Sequence, residues 1–210
     1  MSKLLEIQGL SVRFPTRRGV TYALRNVSID LNPGEVLGLV GESGAGKSTV
    51  GNAIINLLEP PGEITEGDIL FKGQDLRKLD EEAMREIRGK KIGMIFQDPQ
   101  TSLNPLITVG AQLVETIMKT KQLIGSYAVQ KAIELLNSVG IEQAEARLKA
   151  FPHQFSGGMR QRVVIALALA GDPNLVIADE PTTALDVSIQ AQILDLIKSL
   201  CQQKQLGVIF

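Results

Sequence analysis

Two segments of this sequence carry the residue types that grip phosphate groups. The first consists of Gly41, Glu42, Ser43, Gly44, Ala45, Gly46, Lys47 and Ser48. Its glycines let backbone N–H groups turn towards an anion, and a helix starting near Lys47 would aim its positive end at the same point. Lys47 offers a charge to terminal phosphates, and the Ser48 hydroxyl can ligate Mg²⁺. The segment therefore predicts a phosphate-binding loop; a structural glycine turn is the alternative.

The second segment is Ser156-Gly157-Gly158, which precedes an apolar pattern with helical spacing. Ser156 has the side chain of a helix N-cap, and the two glycines after it supply flexible amide donors. An ordinary helix cap has the same local sequence. The motif gains weight because it is the second candidate anion site in one chain.

Two carboxylates, Asp179 and Glu180, follow the apolar run 175–178. Such a run predicts a core strand, and ligands of open α/β sheets collect at the carboxyl ends of strands. Asp179 is suited to hold a metal ion or its water. Glu180 is suited to orient and deprotonate a water that attacks a terminal phosphate. An isolated pair would simply cap the turn into Pro181, but the phosphate loop favours the chemical interpretation.

Three further side chains are weaker candidates. Gln97 ends an apolar strand, which brings its amide within reach of Mg²⁺ or the attacking water, although a surface glutamine is the commoner case. Phe14 offers a ring face to a purine, and core packing explains it equally well. His153 is the one histidine of the sequence and has no carboxylate or serine directly beside it, so we assign it a structural role.

The elements that must position these residues follow from the hydrophobic pattern. Alternating apolar residues predict an antiparallel β flap from strands near 5–14 and 27–31. The continuous run Val36–Val40 predicts a strand buried on both faces that leads into the glycine loop. Further strands are predicted near 68–71, 91–96, 174–178 and 207–210, and helices near 47–59, 81–88, 159–169 and 188–201.

Between Asp98 and Phe155 the strand-like runs give way to helical spacing. The pattern as a whole predicts an α/β fold, with a parallel-sheet core and an inserted helical subdomain. We assign residues 1–97 and 156–210 to the core and residues 98–155 to the helical subdomain.

Composition limits the other classes of protein. Lys and Arg number 22 against 23 Asp and Glu, so no overall positive field recruits nucleic acid. The single cysteine, Cys201, lies on an apolar helical pattern and is predicted to be a small buried residue. The first residues carry charge where a signal peptide needs an apolar core, and the run 163–170 is far shorter than the roughly 20 residues of a bilayer span. We expect a soluble, cytoplasmic protein.

Taken in order, these motifs resemble the ATP-binding subunits of ABC transporters, a family of P-loop NTPases, across nearly the whole chain. The resemblance implies that 41–48 is the Walker A loop, Gln97 the Q-loop, 156–158 the signature, 175–180 the Walker B strand and 184–186 the D-loop. The implied catalytic residues are Glu180, Lys47 and Gln97. The implied magnesium ligands are Ser48, Gln97 and Asp179. The implied ATP contacts are Phe14, Gly41 to Thr49, Gln97, Ser156, Gly157, Gly158, Asp179 and Asp186.

Two longer stretches, 96–105 and 151–162, resemble the oligopeptide, dipeptide and nickel importer branch of that family. The signature has Phe155 and Met159 where the general family pattern has Leu and Gln. Methionine is usual in this branch, and Phe155 keeps an apolar anchor. The family's switch histidine would follow a strand ending near Phe210, so the resemblance implies a chain truncated before that histidine.

The family resemblance implies an ATPase that works as a head-to-tail pair, with ATP between the Walker A loop of one copy and the signature of the other. Implied partners are a second ATP-binding subunit, identical or different, membrane permease subunits and, indirectly, a substrate-binding protein. The implied location is the cytoplasmic face of the membrane, without a nucleic-acid partner.

Three alternatives remain at this point. A non-transport ABC ATPase acting on ribosomes or DNA would carry a second cassette or a long coiled-coil insertion, and neither is visible in the sequence. A small-molecule kinase would need an acceptor pocket and an arginine-rich lid instead of Ser-Gly-Gly. A module that binds nucleotide without cleaving it is the third alternative, because the switch histidine is missing from the sequence.

Overall fold

The computed structural model describes residues 3–17, 19–183 and 185–210, apart from the side chain of Gln100. The strands are β1 (Leu5–Thr16), β2 (Gly19–Leu31), β3 (Val36–Leu37), β4 (Glu63–Phe71), β5 (Gln74–Asp75), β6 (Ile92–Ile95), β7 (Leu175–Ala178) and β8 (Gly207–Ile209). The α-helices are α1 (Lys47–Ile54), α2 (Glu81–Ile87), α3 (Pro99–Ser102), α4 (Val109–Lys121), α5 (Ser126–Ser138), α6 (Ala144–Arg147), α7 (Gly157–Leu169) and α8 (Val187–Lys204). Short 3-10 turns cover Leu76–Lys78 and Pro152–Gln154.

The first sheet is antiparallel, with strand order β2-β1-β4-β5. In β1 the side chains of Leu5, Ile7, Leu10 and Val12 are buried, because the strand turns this face towards α1 and the second sheet. The register changes between Ile7 and Val12 keep the apolar residues on one face across a bulge. The predicted β flap is confirmed, and β2 is longer than predicted.

The second sheet is parallel, with strand order β3-β8-β7-β6. All four residues of β7 are buried, since this inner strand has neighbours on both sides. Ile95 of β6 pairs with Ala178 of β7, so these two strands end at the same edge. The residues that follow them in the sequence, including Gln97 and Asp179, are brought together by this register.

The strand before the glycine loop differs from its prediction. Only Val36 and Leu37 form β3, and Val36 is 46% exposed while Val40 is 99% exposed. The prediction of a strand buried on both faces is therefore wrong. The physical reason is position, because β3 lies at the edge of the sheet and pairs only with β8 among the described residues. An apolar run alone does not distinguish an edge strand from a central one.

Residues 98–155 form helices and turns, as the spacing predicts. Buried side chains of α4 and α5 pack against α7 in a single apolar cluster that continues to β7 and β8. The division of the chain into two domains stays a prediction. In the described part of the chain, no helix combines the length and the apolar character needed to cross a bilayer.

An ionic contact joins the helical segment to the far end of the core. Asp172, in the turn after α7, forms ion pairs with Lys121 at the end of α4 and with Lys204 at the end of α8. Burial opposes ionisation of Asp172, but the lysines outweigh burial and hold its pKa below the ordinary value. The contact ties the ends of both helices to one carboxylate.

Cys201 is buried in α8, as predicted, and its Sγ donates to the carbonyl of Leu206 at 2.7 Å. Burial raises the pKa of this thiol, so it stays protonated at neutral pH.

Candidate active site

The glycine loop connects β3 to α1 and is shaped by two left-handed residues. Gly44 has φ 81° and Gly46 has φ 92°, a region that side chains disfavour. Gly46 also lies so close to β2 that a Cβ there would approach the Ala23 carbonyl oxygen to 2.6 Å. A glycine is therefore required where the loop enters the helix. The first turn of α1 has no acidic residue, so nothing in that turn neutralises the positive helix end.

Lys47 lies across the inner side of this loop. Its Nζ donates to the carbonyl oxygens of Gly41 at 2.9 Å and Glu42 at 3.0 Å. The same nitrogen is 3.7 Å from Oε1 of Glu180. The ammonium group thus stands between the loop and the end of β7.

Ser48 and Asp179 meet although the sequence separates them widely. Ser48 Oγ donates to Asp179 Oδ1 at 2.8 Å. Hydroxyl and carboxylate oxygens are ligands that Mg²⁺ accepts, so the chemistry of this pair fits a magnesium ion. With Lys47 and Glu180, these two side chains line a cavity of about 230 Å³.

Glu180 follows this strand end in the left-handed region, with φ 45°. A non-glycine residue held there stores backbone strain of about 1–3 kcal/mol, which surrounding contacts must offset. Its Oε2 accepts from Gln97 Nε2 at 2.9 Å and from Thr183 Oγ1 at 3.0 Å. The Gln97 amide thus donates a hydrogen bond to the carboxylate of Glu180, and the role of Gln97 as a magnesium ligand stays a prediction.

Thr183 is a site residue that the sequence reasoning missed. Its hydroxyl reaches Glu180 because the backbone N–H of Thr183 donates to the Glu180 carbonyl at 3.2 Å, which closes a tight turn. A threonine three residues after a carboxylate and two after a proline is a signal for such a turn.

Ser156 caps α7, and the predicted N-cap is confirmed. Its Oγ accepts from the Met159 N–H at 3.3 Å, and the first turn of α7 has no acidic residue. A Cβ at Gly158 would approach Ile189 Cγ2 of α8 to 2.8 Å, so the small residue permits the packing of α7 on α8. Ser156 is exposed, and among the described residues no hydrogen bond or ion pair joins 156–158 to the glycine loop.

Asp186 is the N-cap residue of α8 by backbone position. Its carbonyl accepts from the N–H groups of Ile189 and Gln190, both at 2.9 Å, while its carboxylate makes no capping bond. Leu185 packs on the apolar cluster beside α7. Ala184, the first residue of the predicted D-loop, lies outside the described residues.

Phe14 is half-buried in β1 and packs against the apolar cluster that contains Val12 and Leu24. Leu24 also lies beside the glycine loop, because its Cδ2 would be 2.8 Å from a Cβ at Gly46. A Cβ at Gly62 would approach Cε1 of the Phe14 ring to 2.6 Å. The ring is thus positioned by a glycine turn, and both base stacking and core packing stay open.

His153 stands apart from these residues. It is exposed, and its ring stacks on Phe151 with centroids 5.8 Å apart.

Comparison with known proteins finds relatives that belong to one family. The family model described as ABC transporter matches residues 24–183. The chain is similar to the oligopeptide transport ATP-binding protein OppD of Bacillus subtilis (strain 168), with 53% identity over 100% of this chain and 59% of that protein. It is also similar to the dipeptide transport ATP-binding protein DppD of the same organism, with 51% identity over 100% of this chain and 63% of that protein. The chain thus spans about three fifths of the length of these relatives.

Solved structures of ATP-binding cassettes have the same architecture as this chain. A dimeric ATP-binding cassette in a post-hydrolysis state, bound to ADP and Pi, is 31% identical with TM-score 0.84 and covers 98% of this chain and 86% of that one. The cbiO1 protein from Clostridium perfringens is 25% identical with TM-score 0.82 and covers 100% of this chain and 78% of that one. The glycine loop, the paired carboxylates and the capped glycines occur on an α/β fold shared with these cassettes, and the chain belongs to the ABC transporter family.

Proposed function

We propose that this chain binds MgATP and hydrolyses it to ADP and phosphate as the ATP-binding subunit of an importer for dipeptides or oligopeptides. The observation that carries the proposal is the meeting of Lys47, Ser48, Asp179 and Glu180 around one cavity at the carboxyl edge of the parallel sheet. Peptide transport is supported by the similarity to OppD and DppD.

The glycine loop would bind the phosphate chain of ATP. Its amides and the free N-terminus of α1 supply fixed positive dipoles, and Lys47 supplies a full charge. In the structure Lys47 donates to the loop carbonyls of Gly41 and Glu42. An arriving phosphate would exchange these neutral acceptors for charged ones, which form stronger hydrogen bonds.

Ser48 and Asp179 would hold the magnesium ion, and Gln97 is the third predicted ligand. When bound, the ion neutralises charge on the terminal phosphates. The hydrogen bond between Ser48 and Asp179 keeps both oxygen ligands at one point before any ion arrives.

Glu180 would act as the general base. A water oxygen attacks the terminal phosphorus, the bond from that phosphorus to the oxygen of ADP breaks, and a proton of the water passes to the Glu180 carboxylate. The carboxylate is suited to this role because it is 37% exposed and anchored through one oxygen by Gln97 and Thr183.

The exposed start of α7 would complete the site of a second copy. Its N–H groups and its dipole attract an anion, yet in the described part of one copy no hydrogen bond or ion pair joins these groups to the glycine loop. In a head-to-tail pair, ATP would be held between the glycine loop of one copy and 156–158 of the other. Binding would close the pair, and cleavage of the terminal phosphate would weaken the contact.

Mixing two inactive variants tests the shared site. Lys47→Ala removes the phosphate charge, and Gly157→Asp sets a carboxylate at the start of α7, where a Cβ meets only ordinary contact. Each variant alone should hydrolyse almost no ATP. Their equimolar mixture should recover about a quarter of wild-type turnover, since half of randomly formed pairs are mixed and each has one intact site of two.

The control contains one variant alone, at the same total protein concentration as the mixture. A mixture that forms pairs, as seen by light scattering, and regains no hydrolysis would contradict a site shared between copies.

Phe14 would stack on the adenine base. Phe14→Ala should weaken binding of ATP about tenfold, since stacking of one base on an aromatic ring contributes about 1–3 kcal/mol. Binding of inorganic tripolyphosphate, which has no base, should be unchanged in the same titration. Phe14→Tyr should bind both ligands as the wild type does. Equal losses for ATP and tripolyphosphate would assign the ring to core packing instead.

The transport role requires partners beyond this chain. We propose membrane permease subunits, which would keep the protein at the cytoplasmic face of the membrane, and a substrate-binding protein that delivers the peptide to them. Support comes from the similarity of the chain to OppD and DppD, which are peptide transport ATP-binding proteins.

A further inference from the structure

The two oxygens of the Glu180 carboxylate have different surroundings. Oε2 accepts two hydrogen bonds, from Gln97 Nε2 at 2.9 Å and from Thr183 Oγ1 at 3.0 Å. Oε1 has neither of these donors and faces Lys47 Nζ at 3.7 Å, beyond hydrogen-bond distance. One oxygen is therefore anchored, and the other is turned towards the cavity.

The local backbone produces this difference. Glu180 is left-handed, the ring of Pro181 fixes the φ of the proline itself, and the Thr183 N–H closes the turn on the Glu180 carbonyl at 3.2 Å. Because Glu180 is the first residue of this turn, the turn brings the Thr183 hydroxyl back to the Glu180 carboxylate. Gln97 reaches the same oxygen from the end of the neighbouring strand β6.

We propose that Thr183 is a positioning residue for ATP hydrolysis. Together with Gln97 it holds Oε2, so that Oε1 is the oxygen that takes the proton of the attacking water. Without the Thr183 hydroxyl, Oε2 loses one of these two donors, and the carboxylate is free to rotate about its side-chain bonds. Rotation would carry Oε1 away from the attacking water. This inference rests on the proposed role of Glu180 as the general base.

Thr183→Val tests the proposal because it keeps the shape of the side chain and removes the hydroxyl. We expect kcat for ATP hydrolysis to fall about tenfold to a hundredfold, in line with the loss of a hydrogen bond to a charged group. The dissociation constant for ATP should stay within about twofold of wild type, since the hydroxyl does not face the glycine loop. Thr183→Ser, which restores the hydroxyl, should recover kcat to within about threefold.

Two further variants separate this role from a structural one. Thr120→Val makes the same chemical change in α4, where the hydroxyl donates to the Thr116 carbonyl, and should leave kcat unchanged. In single-turnover measurements, adding Thr183→Val to Glu180→Gln should cause no further loss, because Thr183 acts through the carboxylate that is already gone.

Each outcome decides one question. Wild-type kcat in Thr183→Val, failure of Thr183→Ser to recover it, or an added loss in the double variant would overturn the positioning role. Full turnover in Glu180→Gln alone would instead overturn the proposed base. The two failures are thereby distinguished.

Discussion

Glu180→Gln is expected to bind ATP at least as tightly as the wild type and to cleave it about 10²–10⁴ times more slowly, the range that loss of a general base costs. The glutamine keeps the size of the side chain but cannot take a proton from water. It also removes the negative charge that lies 3.7 Å from Lys47 Nζ, so Lys47 meets phosphate without that competitor. Equilibrium ATP binding and single-turnover hydrolysis, measured on the same preparation, check both parts.

The control for this experiment is Glu142→Gln, which makes the same change on an exposed side chain in the helical segment. It should leave binding and hydrolysis as they are. If Glu180→Gln hydrolysed ATP at the wild-type rate, the proton would have another acceptor and the catalytic assignment would fail.

The second large effect is expected for Lys47→Ala, which should weaken ATP binding about a hundredfold, because charge-assisted hydrogen bonds to phosphate are lost. The change removes the ammonium group that stands between the carbonyls of Gly41 and Glu42 and the carboxylate of Glu180. Calorimetric titration with ATP gives the affinity directly.

Lys119→Ala is the matched control, since Lys119 is 74% exposed and pairs with Glu115 on α4. Its affinity for ATP should equal that of the wild type. Equal retention of ATP by Lys47→Ala and Glu180→Gln would refute the division of roles, in which Lys47 binds and Glu180 cleaves.

Features of the site that depend on short stretches of sequence could be predicted. The left-handed glycines of the loop, the start of α1 at Lys47 and the cap at Ser156 are set by residues within a few positions of one another. The buried strand before Asp179 was also recognisable, because all four of its residues are apolar.

Features that depend on the neighbours of an element could not be predicted. The apolar run after Glu35 reads as a central strand, but its exposure is decided by the order of strands in the sheet. Likewise, the amide of Gln97 meets Glu180 because β6 pairs with β7 in one register, which no local pattern specifies. The contact of Thr183 with Glu180 could not be predicted either, because it depends on the left-handed backbone of Glu180.

The bond from Ser48 to Asp179 spans 131 residues of sequence. A partly folded intermediate in which either half of the chain is unfolded cannot bring Ser48 and Asp179 together, so MgATP would bind the native fold in preference to such intermediates. By mass action a thousandfold excess of ligand over its dissociation constant adds about 4 kcal/mol to the native state. In a cell rich in ATP, bound nucleotide would therefore also protect the native protein against unfolding and proteolysis.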